Sequence, residues 1–187
     1  MERMNDVDLV VLVDAQGNPT GTAPKSTVHT HDTPLHLAFS CYVLGPDGKI
    51  LVTRRALSKK TWPGVWTNSA CGHLLPHETA AEAAMRRVPH EIGLPRGEIK
   101  NLVCVLPDFR YRATASQGIV EWEICPVFIA YIDEPLLLRP RADEIDSLSW
   151  VNPKDLFIAV DSAPFAFSPW MVEQLTHEAL RRKLTNK

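Results

Sequence analysis

The chain has 187 residues, which is long enough for one domain with a sizeable core. Hydrophobic residues make up 45% of it and charged residues 22%, values that are typical of a globular protein. The formal net charge of -2 provides no field for nucleic acid or an anionic membrane, so neither is an expected partner, and an anionic ligand must be bound by a local group of basic side chains. We therefore expect a single domain over residues 1–187.

The N-terminal segment, MERMNDVDLVVLVDAQ, predicts neither a signal peptide nor a membrane span. Acidic residues stand where a signal peptide is basic, and the apolar run LVVLV is too short to cross a bilayer. A cytoplasmic location is the expectation.

The four cysteines predict reduced thiols. They form no CxxC pair and lack the density of a small disulfide scaffold. We expect Cys41, Cys104 and Cys125 to be small buried core residues, whereas Cys71 is discussed below.

In chain order, the first predicted elements are strands. DLVVLVDAQGNPTG is a short apolar run closed by a turn, and HLAFSCYVLGPDGKILVTRR predicts a hairpin around PDGK. Another short strand is predicted through TNSACGH. The following HETAAEAAMRR is rich in strong helix formers and predicts a helix that begins at His77 or Thr79.

The second half of the chain again favours strands. IKNLVCVLPDFRYRATASQGIVEWEICPVFIAYID predicts several, interrupted by Pro107 and by the turn TASQG, and DEIDSLSWV predicts one more. NPKDLFIAV predicts a helix, and PWMVEQLTHEALRRKL predicts a C-terminal helix over about 169–184. Strands outnumber helices without regular alternation, which indicates an α+β fold with a mixed sheet layered with helices.

The stretch from Gly72 to Leu94 carries the first functional signal. Gly72 is followed by five residues, Glu78, seven residues and then RRVPHEIGL. This pattern resembles the Nudix box, a loop-helix-loop that holds magnesium against a diphosphate. Where a Nudix hydrolase has two further glutamates, this chain has Arg87 and His90, so of those three carboxylates only Glu91 remains. A metal-activated water is therefore harder to supply.

Five separate pieces of the sequence resemble a narrower family, the type I isopentenyl diphosphate isomerases, over nearly the whole chain. These pieces are VHTHDTPLHLAFS, LVTRRALSKKTWPGVWTNSACGH, DFRYRA, GIVEWEICPVF and FSPWM. The resemblance implies a Nudix-like sheet with an N-terminal extension and a C-terminal helix. It also implies an enzyme that interconverts isopentenyl diphosphate and dimethylallyl diphosphate, by protonating an alkene and deprotonating the adjacent carbon.

Residue spacing supports catalytic roles for two pairs of side chains. Glu121 and Glu123 are two residues apart on a predicted strand, so both carboxylates point to one face, and the same holds for Cys71 and His73. Two carboxylates this close repel unless a cation or a shared proton lies between them. The resemblance implies that Glu123 is the acid and that Cys71 is the base, or the donor in the reverse direction.

The same resemblance assigns two aromatic residues to the pocket. Tyr111 in DFRYRA would hydrogen-bond the acid, and Trp170 in FSPWM would face the carbocation, where a desolvated cation-π contact is worth about 2 kcal/mol. The other tryptophans are expected to be core or loop anchors. They are Trp62, Trp66, Trp122 and Trp150.

Three histidines match the metal ligands of the family. The implied set is His29, His36, His73, Glu121 and Glu123. Mixed nitrogen and oxygen ligands suit Mn²⁺, Zn²⁺ or Fe²⁺, and five ligands argue against a tetrahedral structural zinc. The remaining histidines are expected at the surface or at helix caps; they are His31, His77, His90 and His177.

Basic residues are expected to bind the diphosphate of a small-molecule substrate. The resemblance implies Lys25, Arg55, Lys59 and Arg87, with Glu91 holding a substrate Mg²⁺. An N-terminal arm over about 1–34 would thus contribute both His29 and Lys25. We expect a monomer or a weak homodimer.

One departure from the family pattern concerns the helix that carries Glu91. Pro89 lies two residues before it, and proline costs about 3 kcal/mol inside a helix, so the helix is expected to end near Arg87 or to kink there.

Two other functions stay open: a Nudix-type diphosphate hydrolase, and a catalytically silent binding module or metal-held structural protein. Arg87 and His90 argue against the first, and the retained Cys71, Glu123 and histidine set argue against the second.

Overall fold

The computed structural model describes residues 8–95 and 97–186, in which eleven strands form one sheet. The first seven residues of the predicted N-terminal arm therefore lie outside the described part. The strands are β1 (Leu9–Val13), β2 (Pro19–Pro24), β3 (His36–Leu44), β4 (Ile50–Arg55), β5 (Trp66–Thr67), β6 (Ala70–His73), β7 (Lys100–Leu106), β8 (Arg110–Thr114), β9 (Val120–Ile124), β10 (Val127–Tyr131) and β11 (Ile145–Val151). The helices are α1 (Lys25–Val28), α2 (Ala80–Ile92), α3 (Pro153–Ser162), α4 (Pro169–Gln174) and α5 (Glu178–Thr185). No helix in these two ranges is both long and apolar enough to cross a membrane.

Strand β3 is the centre of the sheet. It runs antiparallel to β1, β4 and β6 and parallel to β9 and β10. The sheet is therefore mixed, as predicted, and the hairpin around PDGK is confirmed as the antiparallel pair of β3 and β4.

Side chains of β3 alternate between two cores. Phe39, Cys41 and Val43 pack in the cluster that contains Ala83 and Val88 of α2. Ala38, Tyr42 and Leu44, which alternate with them along β3, pack in the other cluster. That cluster contains residues of α3, α4 and α5. Because successive strand residues point to opposite faces, the sheet is covered by α2 on one face and by the C-terminal helices on the other.

Helix α2 runs through Pro89, so the predicted helix end near Arg87 is wrong. Thr79 and Glu82 form a capping box at its start, as the Thr79 alternative predicted. Val88 and Ile92 on either side of Pro89 are fully buried. The free energy of this burial offsets the loss of the backbone hydrogen bond that proline cannot donate. Gly93 ends the helix in the left-handed region at φ 65°, where a Cβ would lie 1.6 Å from the carbonyl oxygen of Arg139.

Two further expectations, on the C-terminal helix and on Cys104, need correction. The C-terminal helix is broken into α4 and α5, because the Thr176 hydroxyl bonds the Glu173 carbonyl and the chain turns before Glu178. Cys104 is exposed on β7, whereas Cys41 and Cys125 are buried as predicted.

Trp122 is the one predicted aromatic anchor that the structure does not bury. It is 39% exposed, because β9 turns Glu121 and Glu123 inward and so directs Trp122 outward, where Arg112 lies over its ring at 5.9 Å. The predicted anchor roles of the other tryptophans are confirmed. Trp62 and Trp66 pack against the core on the side of α3 to α5, and Trp150 packs against the core on the side of α2.

Candidate active site

Strand register brings Cys71 and His73 of β6 onto the same face as His36 of β3. Cys71 pairs with Ser40 and His73 pairs with Ala38. Directly paired residues share a face, and residues two apart on β3 also share it. The predicted common face of Cys71 and His73 is therefore confirmed, and it includes His36.

Strand β9 adds its two carboxylates to this face from the opposite side of β3. Glu123 pairs with His36 on one side and with Tyr111 of β8 on the other, and Glu121 pairs with Ala113. Both glutamates are buried, at 8% and 5% exposure for Glu121 and Glu123. The sequence spacing of two residues thus places both carboxylates inside the protein.

Three histidines and one glutamate converge on one point. His29, His36, His73 and Glu123 each offer a ligand atom, and these atoms all lie within 4.8 Å of one another. His29 follows α1 in the N-terminal arm, and its ring centroid lies 5.3 Å from that of His36 and 5.2 Å from that of His73. Oε1 of Glu123 lies 3.3 Å from Nε2 of His36 and 3.2 Å from Nε2 of His73.

The protonation of this group fits a bound cation. Burial and the neighbouring imidazoles lower the pKa of His29 to about 3, and burial also lowers the pKa of His73. Burial opposes protonation of His36 as well, but the charge of Glu123 raises its pKa overall. Nδ1 of His36 lies 2.8 Å from the carbonyl oxygen of Pro34, which can only accept, so neutral His36 keeps a lone pair on Nε2.

Several buried nitrogens in this group have no hydrogen-bond partner among residues 8–95 and 97–186. They are Nε2 of His29, Nε2 of His36 and Nδ1 of His73. Nε2 of His36 makes its 3.3 Å contact with Glu123 without hydrogen-bond geometry. Unpartnered buried nitrogens are costly, and a divalent ion with mixed nitrogen and oxygen ligands would satisfy them. The four residues therefore fit a metal site.

Glu121, the fifth predicted ligand, lies outside this group of four. Its Oε1 accepts a hydrogen bond from Thr61 at 2.5 Å, and its Oε2 lies 3.0 Å from the Tyr111 hydroxyl. The same hydroxyl lies 2.9 Å from Oε2 of Glu123. Burial and the charge of Glu123 raise the pKa of Glu121, whereas the close contacts with His36 and His73 outweigh burial and hold the pKa of Glu123 low. Glu121 is therefore the more easily protonated carboxyl of this pair.

The thiol of Cys71 is neutral in the described structure. Burial raises its pKa to about 12, although the nearby Arg55 guanidinium acts in the opposite direction. Gly72, the next residue, leaves little room for a side chain, because a Cβ would lie 3.3 Å from the ring of Phe39 and 3.4 Å from Nε of Arg87. The glycine lets α2 approach β6 closely.

These groups open into one cavity of about 400 Å³. Its lining includes Cys71, His29, His73, Tyr111, Glu121 and Glu123, together with five basic residues, Lys25, Arg55, Lys59, Lys60 and Arg87. A larger recess of about 630 Å³ lies between the Gly45–Gly48 turn and the end of α5 and contains none of these residues. We place the candidate site in the smaller cavity because that is where the titratable groups meet.

The predicted phosphate-binding residues all reach this cavity, but each already has a partner. Lys25 lies 3.2 Å from Asp8. Arg55 donates from Nη2 to the carbonyl oxygen of Thr61 at 2.9 Å, and its guanidinium lies over the Trp170 ring at 5.2 Å. Lys60, which the sequence did not single out, donates to the carbonyl oxygen of Ser26.

Lys59 and Arg87 share a carboxylate that was not predicted. Glu144 pairs with Lys59 through Oε2 and with Arg87 through Oε1 at 3.1 Å. Arg87 also donates to Glu91 at 2.6 Å, and burial raises the pKa of Glu91. Glu91 therefore lies beside Arg87 of the cavity lining, although Pro89 is two residues before it.

Comparison with known proteins agrees with this geometry. The NUDIX domain family matches residues 34–171. The chain is 68% identical over 182 residues to the isopentenyl-diphosphate Delta-isomerase of Corynebacterium diphtheriae, covering 97% of this chain and 99% of the relative. It is 55% identical over 185 residues to the isopentenyl-diphosphate Delta-isomerase of Kocuria rhizophila, covering 98% and 99% of the two chains. The chain belongs to the isopentenyl-diphosphate Delta-isomerases of the Nudix family.

A solved structure supports the same fold. DR0079 from Deinococcus radiodurans superposes with a TM-score of 0.70 at 15% identity, covering 96% of this chain and all of the other. This likeness concerns the fold alone.

The Nudix box residues divide into two groups in the folded chain. Arg87 lines the cavity and binds Glu91, whereas Glu78 binds Arg86 through both oxygens at 2.7 Å and accepts from the Leu75 amide. His90 is exposed. Glu78 therefore braces the loop before α2 and is separate from the cavity lining.

Trp170 lies behind the cavity lining and not in it. Its ring is 1% exposed, and its Nε1 donates to Oδ1 of Asn68 at 3.0 Å. The ring lies 5.7 Å from that of Tyr111 and 5.4 Å from that of Trp62. It contacts Arg55 and Tyr111 of the lining, and its predicted role in facing the carbocation stays a prediction.

Sequence reasoning missed three residues that shape the site: Thr61, Asn68 and Glu144. Asn68 lies inside the quoted piece TNSACGH, and its amide also donates to the carbonyl oxygens of Cys41 and Ala70. Thr61 and Glu144 carry no local signal, because an isolated threonine or glutamate in a loop is usually solvated.

Proposed function

We propose that this protein interconverts isopentenyl diphosphate and dimethylallyl diphosphate. The observation that carries the proposal is one cavity in which the half-buried thiol of Cys71, a buried carboxyl pair and several cations meet. Moving the double bond requires a proton donor and a proton acceptor at one allylic unit, and a diphosphate requires positive charge beside it. The names of the relatives point to the same reaction.

Glu123 and Cys71 are the proposed proton donor and acceptor. In the forward direction Glu123 gives a proton to the terminal alkene carbon, and the Cys71 thiolate takes one from the carbon nearer the diphosphate. The double bond thus moves while one proton passes from Glu123 to Cys71. In the reverse direction the thiol is the donor and the carboxylate the acceptor.

The resting protonation state suits the reverse direction. Burial keeps the pKa of Cys71 at about 12, so it is a thiol, and the low pKa of Glu123 makes it a carboxylate. Forward turnover requires one proton on Glu123 and none on Cys71. Arg55, whose charge lowers the pKa of Cys71, favours the thiolate.

Tyr111 is the proposed link between the two carboxyl groups. Protonated Glu121 can donate to the Tyr111 oxygen while the Tyr111 hydroxyl donates to Glu123. When the Glu121 proton moves to the Tyr111 oxygen and the Tyr111 proton moves to Glu123, Glu121 becomes ionised, Tyr111 stays neutral and Glu123 becomes protonated. Glu121 would thus act as the proton store for the acid.

His29, His36, His73 and Glu123 are the proposed ligands of a divalent transition ion, with Glu121 adjacent to them. Such an ion would stabilise the two negative charges of the carboxylates and raise the acidity of a proton near them. Mn²⁺, Zn²⁺ and Fe²⁺ suit this ligand set. Glu91 is the proposed ligand for Mg²⁺ on the diphosphate, to which Lys25, Arg55, Lys59 and Arg87 would contribute charge.

The test is proton and phosphorus NMR of the protein with isopentenyl diphosphate and Mg²⁺ in deuterated water. Dimethylallyl diphosphate carrying deuterium is the expected product. Released phosphate without alkene migration would instead identify a diphosphate hydrolase. An unchanged substrate, with Mg²⁺ and Mn²⁺ or Zn²⁺ supplied, would identify a silent binding module.

A further inference from the structure

Glu144 joins two cations that come from different parts of the chain. It lies directly before β11, and its side chain lines the cavity with only 15% exposure. One carboxylate oxygen contacts Lys59, which lies in the loop after β4. The other lies 3.1 Å from Nη2 of Arg87, on α2.

The backbone around Glu144 is fixed to the same two segments. The Ala56 amide, three residues before Lys59, donates to the Glu144 carbonyl at 3.0 Å. The Glu144 amide donates to the Arg141 carbonyl at 3.1 Å, and the Arg141 amide donates to the carbonyl of Glu91 on α2 at 3.0 Å. Backbone and side chain of Glu144 therefore both tie the loop after β4 to α2.

Charge balance in this region depends on the carboxylate. Burial raises the pKa of Glu144, but Lys59 and Arg87 outweigh that effect and hold it below its ordinary value, so Glu144 is ionised. Without it, Lys59 would lose its carboxylate partner and Arg87 would keep only Glu91 as its partner. Two like charges in a partly buried site repel and would spread apart.

We propose that Glu144 is a positioning residue which holds Lys59 and Arg87 in place for the diphosphate of the substrate. Lysine and arginine side chains lose rotamer freedom when they bind, and a partner that holds them beforehand reduces this loss. The inference rests on the proposed function, because the diphosphate is the ligand that these two cations would meet. Glu144 itself touches neither reacting carbon in this role.

The experiment compares Glu144→Gln with Asp146→Asn in the isomerase assay and in calorimetric titration with magnesium pyrophosphate. Asp146 is the matched control, because it lies on β11 two residues after Glu144 and pairs with Arg54 at 3.0 Å outside the cavity. For Glu144→Gln we expect KM and the pyrophosphate Kd each to rise about tenfold or more, with kcat changed less than about threefold, because binding groups are displaced and the reacting groups are not. Asp146→Asn should keep wild-type KM and Kd.

A conservative variant separates positioning from folding. Glu144→Asp keeps the charge with a shorter side chain, so its KM should lie between those of wild type and Glu144→Gln. If circular dichroism shows that Glu144→Gln does not fold, Glu144→Asp decides: a severalfold higher KM supports the inference and an unchanged KM overturns it.

Three results would overturn it outright. They are an unchanged or lower KM and Kd in Glu144→Gln, a loss confined to kcat, or an equal effect of Asp146→Asn. A failure of the proposed function gives a different pattern. Wild-type protein that binds magnesium pyrophosphate in a Glu144-dependent way without isomerising the substrate would overturn the isomerase and leave the positioning role standing.

Discussion

Tyr111 places its hydroxyl oxygen 2.9 Å from Oε2 of Glu123. The same oxygen lies 3.0 Å from Oε2 of Glu121, and one hydroxyl has only one hydrogen to donate. The arrangement is satisfied when one carboxyl is protonated, and burial together with the charge of Glu123 raises the pKa of Glu121, which makes it the more easily protonated of the two. Tyr111 thus connects a proton store to the proposed acid.

Replacing Tyr111 with phenylalanine should slow turnover without weakening substrate binding. The ring and its contact with Trp170 remain, but the proton path between Glu121 and Glu123 is lost, so we expect kcat to fall about 10-fold to 100-fold at a similar KM. Steady-state kinetics measures both constants. Tyr131→Phe, on β10 and outside the cavity, should keep wild-type kcat, and an unchanged kcat in Tyr111→Phe would remove Tyr111 from the mechanism.

Replacing Cys71 with alanine should abolish most activity. A methyl group can neither take nor give a proton, so kcat is expected to fall about 10²-fold to 10⁴-fold. The exposed Cys104 offers the control, since Cys104→Ala removes a thiol on β7 far from the sheet face of the site. Full turnover by Cys71→Ala, measured by the NMR assay, would contradict the assigned role.

Replacing His36 with alanine should release a tightly bound transition ion. His36 is fully buried and is one of the four converging ligand residues, so its loss opens a cavity and removes one donor. Elemental analysis of purified wild-type protein should show about one transition ion per chain, and the variant should retain little of it. His31→Ala changes an exposed histidine and should leave the ion in place. Wild-type protein that is fully active with all transition metal removed would rule out the site.

The ion pair of Glu78 and Arg86 should stabilise the fold in a pH-dependent way. Burial raises the pKa of Glu78, but the hydrogen bonds from Arg86 and the Leu75 amide lower it further, so the folded-state pKa is below the ordinary 4.5. A depressed folded pKa contributes stability that is fully present above the unfolded pKa and is lost as pH falls through the folded pKa.

Urea unfolding of Glu78→Gln at several pH values tests this. At pH 7 the variant should be about 1–3 kcal/mol less stable than wild type, because a charged hydrogen-bonded pair is broken next to α2. The difference should shrink as pH falls below 4.5. Glu134→Gln, at an exposed position, should show little difference at any pH. A gap that stays constant across the range would show that the charge of Glu78 contributes nothing.

Local patterns predicted much of the fold. The PDGK hairpin, the α2 capping box at Thr79 and the common face of Glu121 and Glu123 depend on residues within one turn or one strand. The predicted helix end near Arg87 was wrong for a nonlocal reason, since buried Val88 and Ile92 hold α2 together through Pro89. The predicted continuous C-terminal helix was wrong because a threonine hydroxyl satisfies a carbonyl that the helix would otherwise use.

The sequence by itself determined the kind of chemistry: which strand positions carry thiol, imidazole and carboxyl groups, and on which face each pair lies. Only the tertiary structure decided that Trp170 stacks on Arg55 and that Glu144 binds both Lys59 and Arg87. The reason is physical. Face and capping follow from the geometry of neighbouring residues, whereas register and side-chain pairing follow from how segments far apart in the chain pack against a shared core.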